Sequence, residues 1–321
     1  MDTVAKETDM ENLILAFNVV MPLFLTIAIG YGLKVLKFYD KPALDVMNKL
    51  CFKVFLPLML FENVYKTDLA GVFNGKILVF SVISVFVMFV ILMLLIPRVE
   101  KDNARRGVLI QAMFRSNFVL FGLPVVISLC GEEASGVTAL MIAVVVPMYN
   151  ALSVVALETF RGGKPSLKKI GRGVITNPLI IASALGILLF FTGVKLPYAV
   201  DKTIADLGKI ATPLALVVLG GSFDFSKIRG YARQLLIGVG GKLVIGPALF
   251  LPIGVALGFR DVELTSLMIM FGAPTAVSSF TMAQQMDGDS ELAGQLVVFS
   301  SAFSILTIFI WIFILKQLNL M

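Results

Sequence analysis

Histidine is missing from this 321-residue chain altogether. Imidazole is the commonest neutral-pH proton carrier and metal ligand, so His-based acid–base catalysis and His-ligated metal centres are excluded. No nucleophile–base or metal constellation can be assembled from what remains. The sequence therefore does not read as an enzyme, and it implies no cofactor. Only two cysteines occur, Cys51 and Cys130, both in or beside apolar runs, where they read as packed free thiols. Charge is scarce as well: Asp, Glu, Lys and Arg make up 15% of the chain, against about 25% in a soluble domain. A cleavable leader is not expected. The residues through Glu11 are acid-rich, and the apolar run Leu13–Leu33 is too long for a signal core.

What fills the space is apolar. Hydrophobic residues make up 58% of the chain, and the mean hydropathy is +0.94. Long apolar runs separated by short polar breaks predict an all-α integral membrane protein with no appended soluble domain. Ten runs approach or exceed the ~20 residues a helix needs to cross a bilayer. They cover 12–36, 46–65, 75–97, 104–130, 134–160, 174–193, 198–222, 232–258, 262–286 and 291–316.

Basic residues set the orientation, because Lys and Arg collect in inward loops. With the N-terminus outside, the inward set is Lys34, Lys37, Lys41, Lys49, Arg98, Lys101, Arg105, Arg106, Arg161, Lys164, Lys168, Lys169, Arg172, Lys227, Arg229 and Arg233, 16 in all. The outward set is Lys6, Lys66, Lys76, Lys195, Lys202, Arg260 and Lys316, only 7. A multi-pass plasma-membrane protein with both termini extracytoplasmic is expected. The net charge of +6 lies beside lipid, and no nucleic-acid partner is expected.

The chain repeats itself. Asp45, Lys53, Pro57, Leu58 and Leu60 recur 156 positions on as Asp201, Lys209, Pro213, Leu214 and Leu216. Asn18 and Gly136 recur at similar offsets as Asn177 and Gly294. Spans 1–5 (residues 1–165) and 6–10 (166–321) thus read as two copies of one unit. Five is odd, so the copies are inverted across the membrane, a recurrent transporter architecture.

Spans 4 and 9 carry helix breakers, Phe121-Gly122-Leu123-Pro124 and Phe271-Gly272-Ala273-Pro274. A broken helix at membrane depth is tolerated only where it lines protein or a wet cavity, so paired breaks point to a transport site. These two motifs are 150 residues apart, outside the repeat register. At offset 158, Pro274-Thr275 aligns with Ser116-Asn117. The span 4 break therefore belongs at Ser116-Asn117, with Pro124 a secondary kink.

Half-helices that begin at such breaks aim unpaired amides and partial positive charge into the site, and helix N-termini bind anions. Ser116 and Asn117 are favoured N-cap types; Thr275, Ser278 and Ser279 supply hydroxyls around Pro274. Arg115 is the sharpest residue. A charge at mid-bilayer costs at least ~2.5–3.5 kcal/mol, so it usually faces a cavity and works. Its fork matches a carboxylate bidentately, and no acid in span 4 or 9 lies near it. An anionic substrate follows. The alternatives are that Arg115 snorkels to the surface or pairs with a carboxylate of another span.

Other candidates have competing structural roles. Lys53 and Lys209 read as snorkelling or helix-paired lysines, the latter within reach of Asp206. Lys242, among Gly238, Gly240, Gly241 and Gly246, is either a functional charge or part of a close helix contact. Tyr149 and Asn150 follow Pro147 in span 5. Gly30 and Gly32 read as close helix packing, while Glu132, Glu133, Asp287 and Asp289 read as solvated loop acids.

The chain resembles the auxin efflux carrier superfamily, which includes plant PIN-type carriers and bacterial permeases assigned to malate or malonate. The likeness rests on Ser116-Asn117-(x4)-Gly122-Leu123-Pro124 and on Ala273-Pro274-Thr275-Ala276-Val277 with Ala283-Gln284. It implies ten helices in two inverted repeats, with spans 4 and 9 crossing at their breaks. A scaffold of spans 1, 2, 6 and 7 would dimerise, and the other spans would form a moving, elevator-type transport domain. It places a substrate carboxylate by Asn117, with Tyr149 lining the site. Two departures stand out: Ser116 where Pro or Gly is common, and Arg115 where plant members have an apolar residue. The added guanidinium argues for a small, highly charged anion. Two other functions remain open, a sodium-coupled organic-anion symporter and a non-transporting membrane sensor on the same fold.

Overall fold

A computed structural model of the chain describes residues 2–66, 74–162 and 167–321. Lys164, counted above among the inward basic residues, lies outside them. The described residues are helical from end to end, without strands. The helices are α1 (Asp2–Val35), α2 (Lys41–Leu50), α3 (Leu56–Tyr65), α4 (Gly75–Val99), α5 (Asn103–Phe114), α6 (Phe118–Cys130), α7 (Ser135–Phe160) and α8 (Leu167–Ile175). The second half continues with α9 (Pro178–Thr192), α10 (Tyr198–Gly208), α11 (Ala211–Ser222), α12 (Ala232–Gly240), α13 (Gly246–Ala256), α14 (Asp261–Gly272), α15 (Ser278–Gln285) and α16 (Ser290–Gln317). Their starts are chemically marked: Asp40, Asn74, Asp102, Asn177 and Asp289 each accept a backbone N–H of the first turn.

Seven stretches are long and apolar enough to cross a membrane: Phe17–Val35, Gly75–Val99, Asn103–Cys130, Ser135–Phe160, Tyr198–Ser222, Phe225–Ala256 and Ser290–Gln317. An eighth arises if α8 and α9, bent by 57° at their junction, count as one. The protein is therefore a multi-pass helical membrane protein. Helix also occupies 41–65, 261–272 and 278–285, which carry more polar residues.

Two irregularities were not legible beforehand. A π-turn over Cys51–Phe55 joins α2 to α3, and another over Gly241–Ile245 joins α12 to α13. Each precedes a proline, Pro57 or Pro247, which lacks an N–H and leaves a carbonyl one turn back unpaired. In the second case Trp311 of α16 repairs the loss, since its indole N–H donates to the Leu243 carbonyl at 3.0 Å.

Polar contacts tie the turns into two groups. In one, Arg161 bonds Glu158 and Asp287, Arg105 bonds Asp289, Lys227 bonds Glu291, and Lys34 donates to the Phe223 carbonyl. In the other, Lys66 bonds Asp201, the Tyr65 hydroxyl accepts from Leu196 N–H, Lys76 donates to the Leu257 carbonyl, and Asp261 N–H donates to the Leu320 carbonyl. Asp289, expected in a solvated loop, is instead half-enclosed: it caps α16 and accepts from Arg105 and the Tyr231 hydroxyl. Its three partners lie 58 or more residues away or within its own cap, so local sequence could not reveal them.

Helices α1 and α11 approach each other closely. A Cβ on Gly30 would lie 2.2 Å from the Val217 carbonyl oxygen, and one on Gly220 would lie 2.0 Å from that of Ile27. Small residues let backbones meet where the bilayer gives no hydrophobic drive for association. Gly32, expected to share this role, faces open space instead; it lies two positions on, nearly on the opposite side of the helix.

Gly220→Leu should therefore lower the melting temperature of the detergent-solubilised protein sharply or prevent its assembly, while Gly32→Ala should leave it unchanged. Both are readable by size-exclusion thermal scans. Glu100, just beyond α4, offers a second test. Burial pushes its carboxyl up, but the Asp102 N–H and the Gln234 amide bond the ionised form and hold it below the usual carboxylate range. A depressed acid stabilises above its unfolded pKa and loses that contribution as pH falls through its folded value. Stability should fall with pH below about 4, and Glu100→Gln should flatten that acid limb in pH-dependent unfolding.

Candidate functional site

The break in the fourth predicted span lies where repeat register placed it. Helix α5 ends at Phe114, and α6 begins at Phe118. Pro124 sits inside α6 and does not interrupt it. The other break separates α14 from α15 at 273–277. Each break satisfies polar groups of the other. Asn117 N–H donates to the Pro274 carbonyl at 2.7 Å, and the Ser116 hydroxyl donates to the Ala273 carbonyl at 3.2 Å. In return, the Thr275 hydroxyl donates to the Ala112 carbonyl at 2.8 Å, while Gln111 Nε2 reaches the Ser279 carbonyl at 3.0 Å. Ser300 of α16 accepts the Thr275 N–H at 3.1 Å.

Arg115 stands at this junction, 4% exposed. One terminal nitrogen donates to Asn150 Oδ1 and Ser278 Oγ, both at 2.6 Å, and the other lies 2.5 Å from Met282 Sδ. Among the described residues no carboxylate comes within ion-pair distance of it. Of the alternatives for Arg115, the surface is thus closed to it and no acid of another span meets it. Its partners are neutral oxygens and a thioether.

A cavity of about 130 Å³ opens beside it, lined by Arg115, Ser116, Asn117, Tyr149, Asn150 and Ser278 on one side. Leu56, Met59 and Asn63 of α3, with Thr212 of α11, also line it. Asn117 starts α6, yet its side chain caps no N–H, and its buried Nδ2 has no hydrogen-bond partner. A buried unpaired donor costs about 1–3 kcal/mol, so this orphan is a departure from the usual pairing of buried polar groups. The Tyr149 hydroxyl donates to the Met270 carbonyl at 3.2 Å, which fixes its ring against the cavity.

Of the predicted site residues, the structure brings Arg115, Ser116, Asn117, Tyr149 and Ser278 to the cavity. Pro274, Thr275 and Ser279 lie behind it, with Pro274 and Thr275 spent on holding the breaks together and the Ser279 hydroxyl buried without a partner. Asn150 and Met282 were not singled out as Arg115 partners. Asn150 is 35 residues away, and only its polarity beside Tyr149 marked it. Lys242 is 1% exposed within its π-turn and has no ion pair or hydrogen bond among the described residues. Lys53 is exposed, and Lys209 lies 3.8 Å from Asp206 as expected. No group of three or more Cys, Asp or Glu among the described residues is placed to hold a metal ion.

A broken-helix junction with a buried cation, set within a multi-pass helical membrane protein, points to the membrane-transport class. Comparison with known proteins agrees. The family model described as membrane transport protein matches residues 15–312, so the chain belongs to that family, the auxin efflux carrier type. It is 24% identical to an uncharacterized transporter of Methanothermobacter thermautotrophicus, over 91% of this chain and 96% of the relative. It is 23% identical to an uncharacterized transporter of Methanocaldococcus jannaschii, over 93% and 98%. Identity is 21% with a Rhizobium meliloti protein named "Putative malonate transporter", over 91% and 93%.

A double-mutant cycle tests the neutral cage around Arg115. Asn150→Leu alone should destabilise the protein by about 1.5–3 kcal/mol, the worth of a hydrogen bond to a charged group. In the Arg115→Met background the same change should cost far less, because no buried charge is then stripped of its acceptor. Thermal unfolding in detergent reads both.

Proposed function

We propose that the protein is a secondary transporter of a small organic carboxylate anion, of malonate or malate type, which binds beside Arg115 where the two breaks meet. The observation that carries the proposal is the buried, uncancelled guanidinium facing the cavity. The N-termini of α6 and α15 add partial positive charge there, and Asn117 Nδ2 adds an unused donor. A carboxylate supplies what this set lacks. The name of the Rhizobium meliloti relative is consistent with the same substrate class.

In this reading the chain crosses a plasma membrane ten times as two inverted five-helix repeats, 1–165 and 166–321, with both termini extracytoplasmic. The alternation of turns between two contact groups supports ten crossings. Mirrored pairings support the inversion, since α1 packs on α11 while α3 packs on α9. The spans at 103–130 and 261–285 cross at their breaks. They move with those at 75–99, 135–160, 232–256 and 290–317 as an elevator against a dimeric scaffold built from the remaining four.

Uptake of labelled malonate and malate into proteoliposomes tests the function. Saturable uptake by the native protein should fall at least about tenfold in Arg115→Met, the loss of one charge-assisted contact, while monodispersity is retained. Equal uptake by the variant, or uptake indifferent to the substrate carboxylate, would sink the proposal.

A further inference from the structure

The 57° bend between α8 and α9 separates a nine-residue segment from the apolar helix that follows. Its sequence, Leu-Lys-Lys-Ile-Gly-Arg-Gly-Val-Ile, divides cleanly at 100° per residue. Lys168, Lys169 and Arg172 fall within one 100° sector, and Leu167, Ile170, Val174 and Ile175 fall within a separate 140° sector, with Ile175 at its edge beside Lys168. None of its residues is buried. Its attachment to the rest of the protein is by its flank: Gly173 faces Glu158 of α7, and Val174 packs against the core.

Two sets of groups are left over. Leu167 is 89% exposed and Ile175 is 73% exposed, and the helix that follows exposes Ile181, Leu185 and Leu188. In a membrane protein such a face is covered by acyl chains. Lys168, Lys169 and Arg172 are exposed and make no ion pair among the described residues. Glu158, which Gly173 faces, is taken by Arg161, as is Asp287. Three uncancelled cations beside an apolar edge match a headgroup–acyl boundary bearing negative charge.

We propose that α8 is an interfacial helix that binds anionic phospholipid headgroups on the side of the bilayer where the basic loops gather. Leu167 and Ile175 insert among acyl chains, while Lys168, Lys169 and Arg172 contact the phosphates. The helix joins the two halves of the chain, so the lipid holds the joint between them at a fixed depth. This inference requires only that the protein spans a membrane, and it stands apart from the choice of transported substrate.

Native mass spectrometry of the full chain from mixed phosphatidylglycerol and phosphatidylcholine nanodiscs tests it. Each basic residue near an anionic surface is worth about a fivefold preference. The triple variant Lys168→Gln, Lys169→Gln, Arg172→Gln should therefore lower the phosphatidylglycerol-to-phosphatidylcholine adduct ratio at least about tenfold. Lys195→Gln with Lys202→Gln, in the connection between α9 and α10 and at the start of α10, should leave the ratio unchanged. As a second readout, bimane on Ile175→Cys in a Cys130→Ser background should be quenched by doxyl lipid and shielded from iodide. An unchanged ratio in the triple variant, or iodide quenching as in free solution, overturns the proposal and leaves the basic face to a soluble acidic partner.

Discussion

The structure depends on a rule of backbone chemistry in hydrocarbon: an amide or carbonyl released from a helix must find a partner inside the protein. Two helices break the rule locally at 115–117 and 273–277, and each resolves the other's debt. Asn117 N–H takes the Pro274 carbonyl, and the Thr275 hydroxyl takes the Ala112 carbonyl. Inside hydrocarbon neither break would be tolerable alone. Their mutual satisfaction fixes the relative position of α5, α6, α14 and α15, and with them the start of two half-helices at one cavity. Helices α7 and α16 complete the frame, through Asn150 on Arg115 and Ser300 on Thr275.

Charge is distributed by the same economy. At the ends of the helices, lysines and arginines meet carboxylates, as in Arg105 with Asp289 or Lys66 with Asp201. In the interior the pattern reverses. Arg115 is surrounded by an amide oxygen, a hydroxyl and a thioether, groups that orient toward the guanidinium without neutralising it. A carboxylate in that place would have cancelled the guanidinium's field. The neutral cage keeps the cation desolvated and oriented without cancelling its charge.

Much of this was legible in sequence because it followed from period and spacing. Apolar runs marked the helices, and the 156–158-residue register moved the first break from Pro124 to Ser116-Asn117. Arg115 was found because a guanidinium in an apolar run is costly and therefore conspicuous. What remained hidden involved groups that are ordinary in isolation. Asn150 and Met282 carry no local sign that they will meet an arginine 35 or 167 residues away. Thr275 read as a ligand residue, yet its hydroxyl is used on Ala112, since hydroxyls suit both roles and only the partner's position decides. The π-turns before Pro57 and Pro247 were missed because the extra residue in each turn leaves no compositional trace.

The proline at 247 has a consequence beyond geometry. The carbonyl it releases at Leu243 is met by Trp311, and the chain has no other tryptophan. Indole emission from this protein is therefore a one-site spectrum, reporting on a single hydrogen bond between the π-turn beside Lys242 and the last helix. Any rearrangement that slides one of these segments past the other changes the environment of that one fluorophore. The native sequence already contains its own optical gauge of internal motion, with no label to attach.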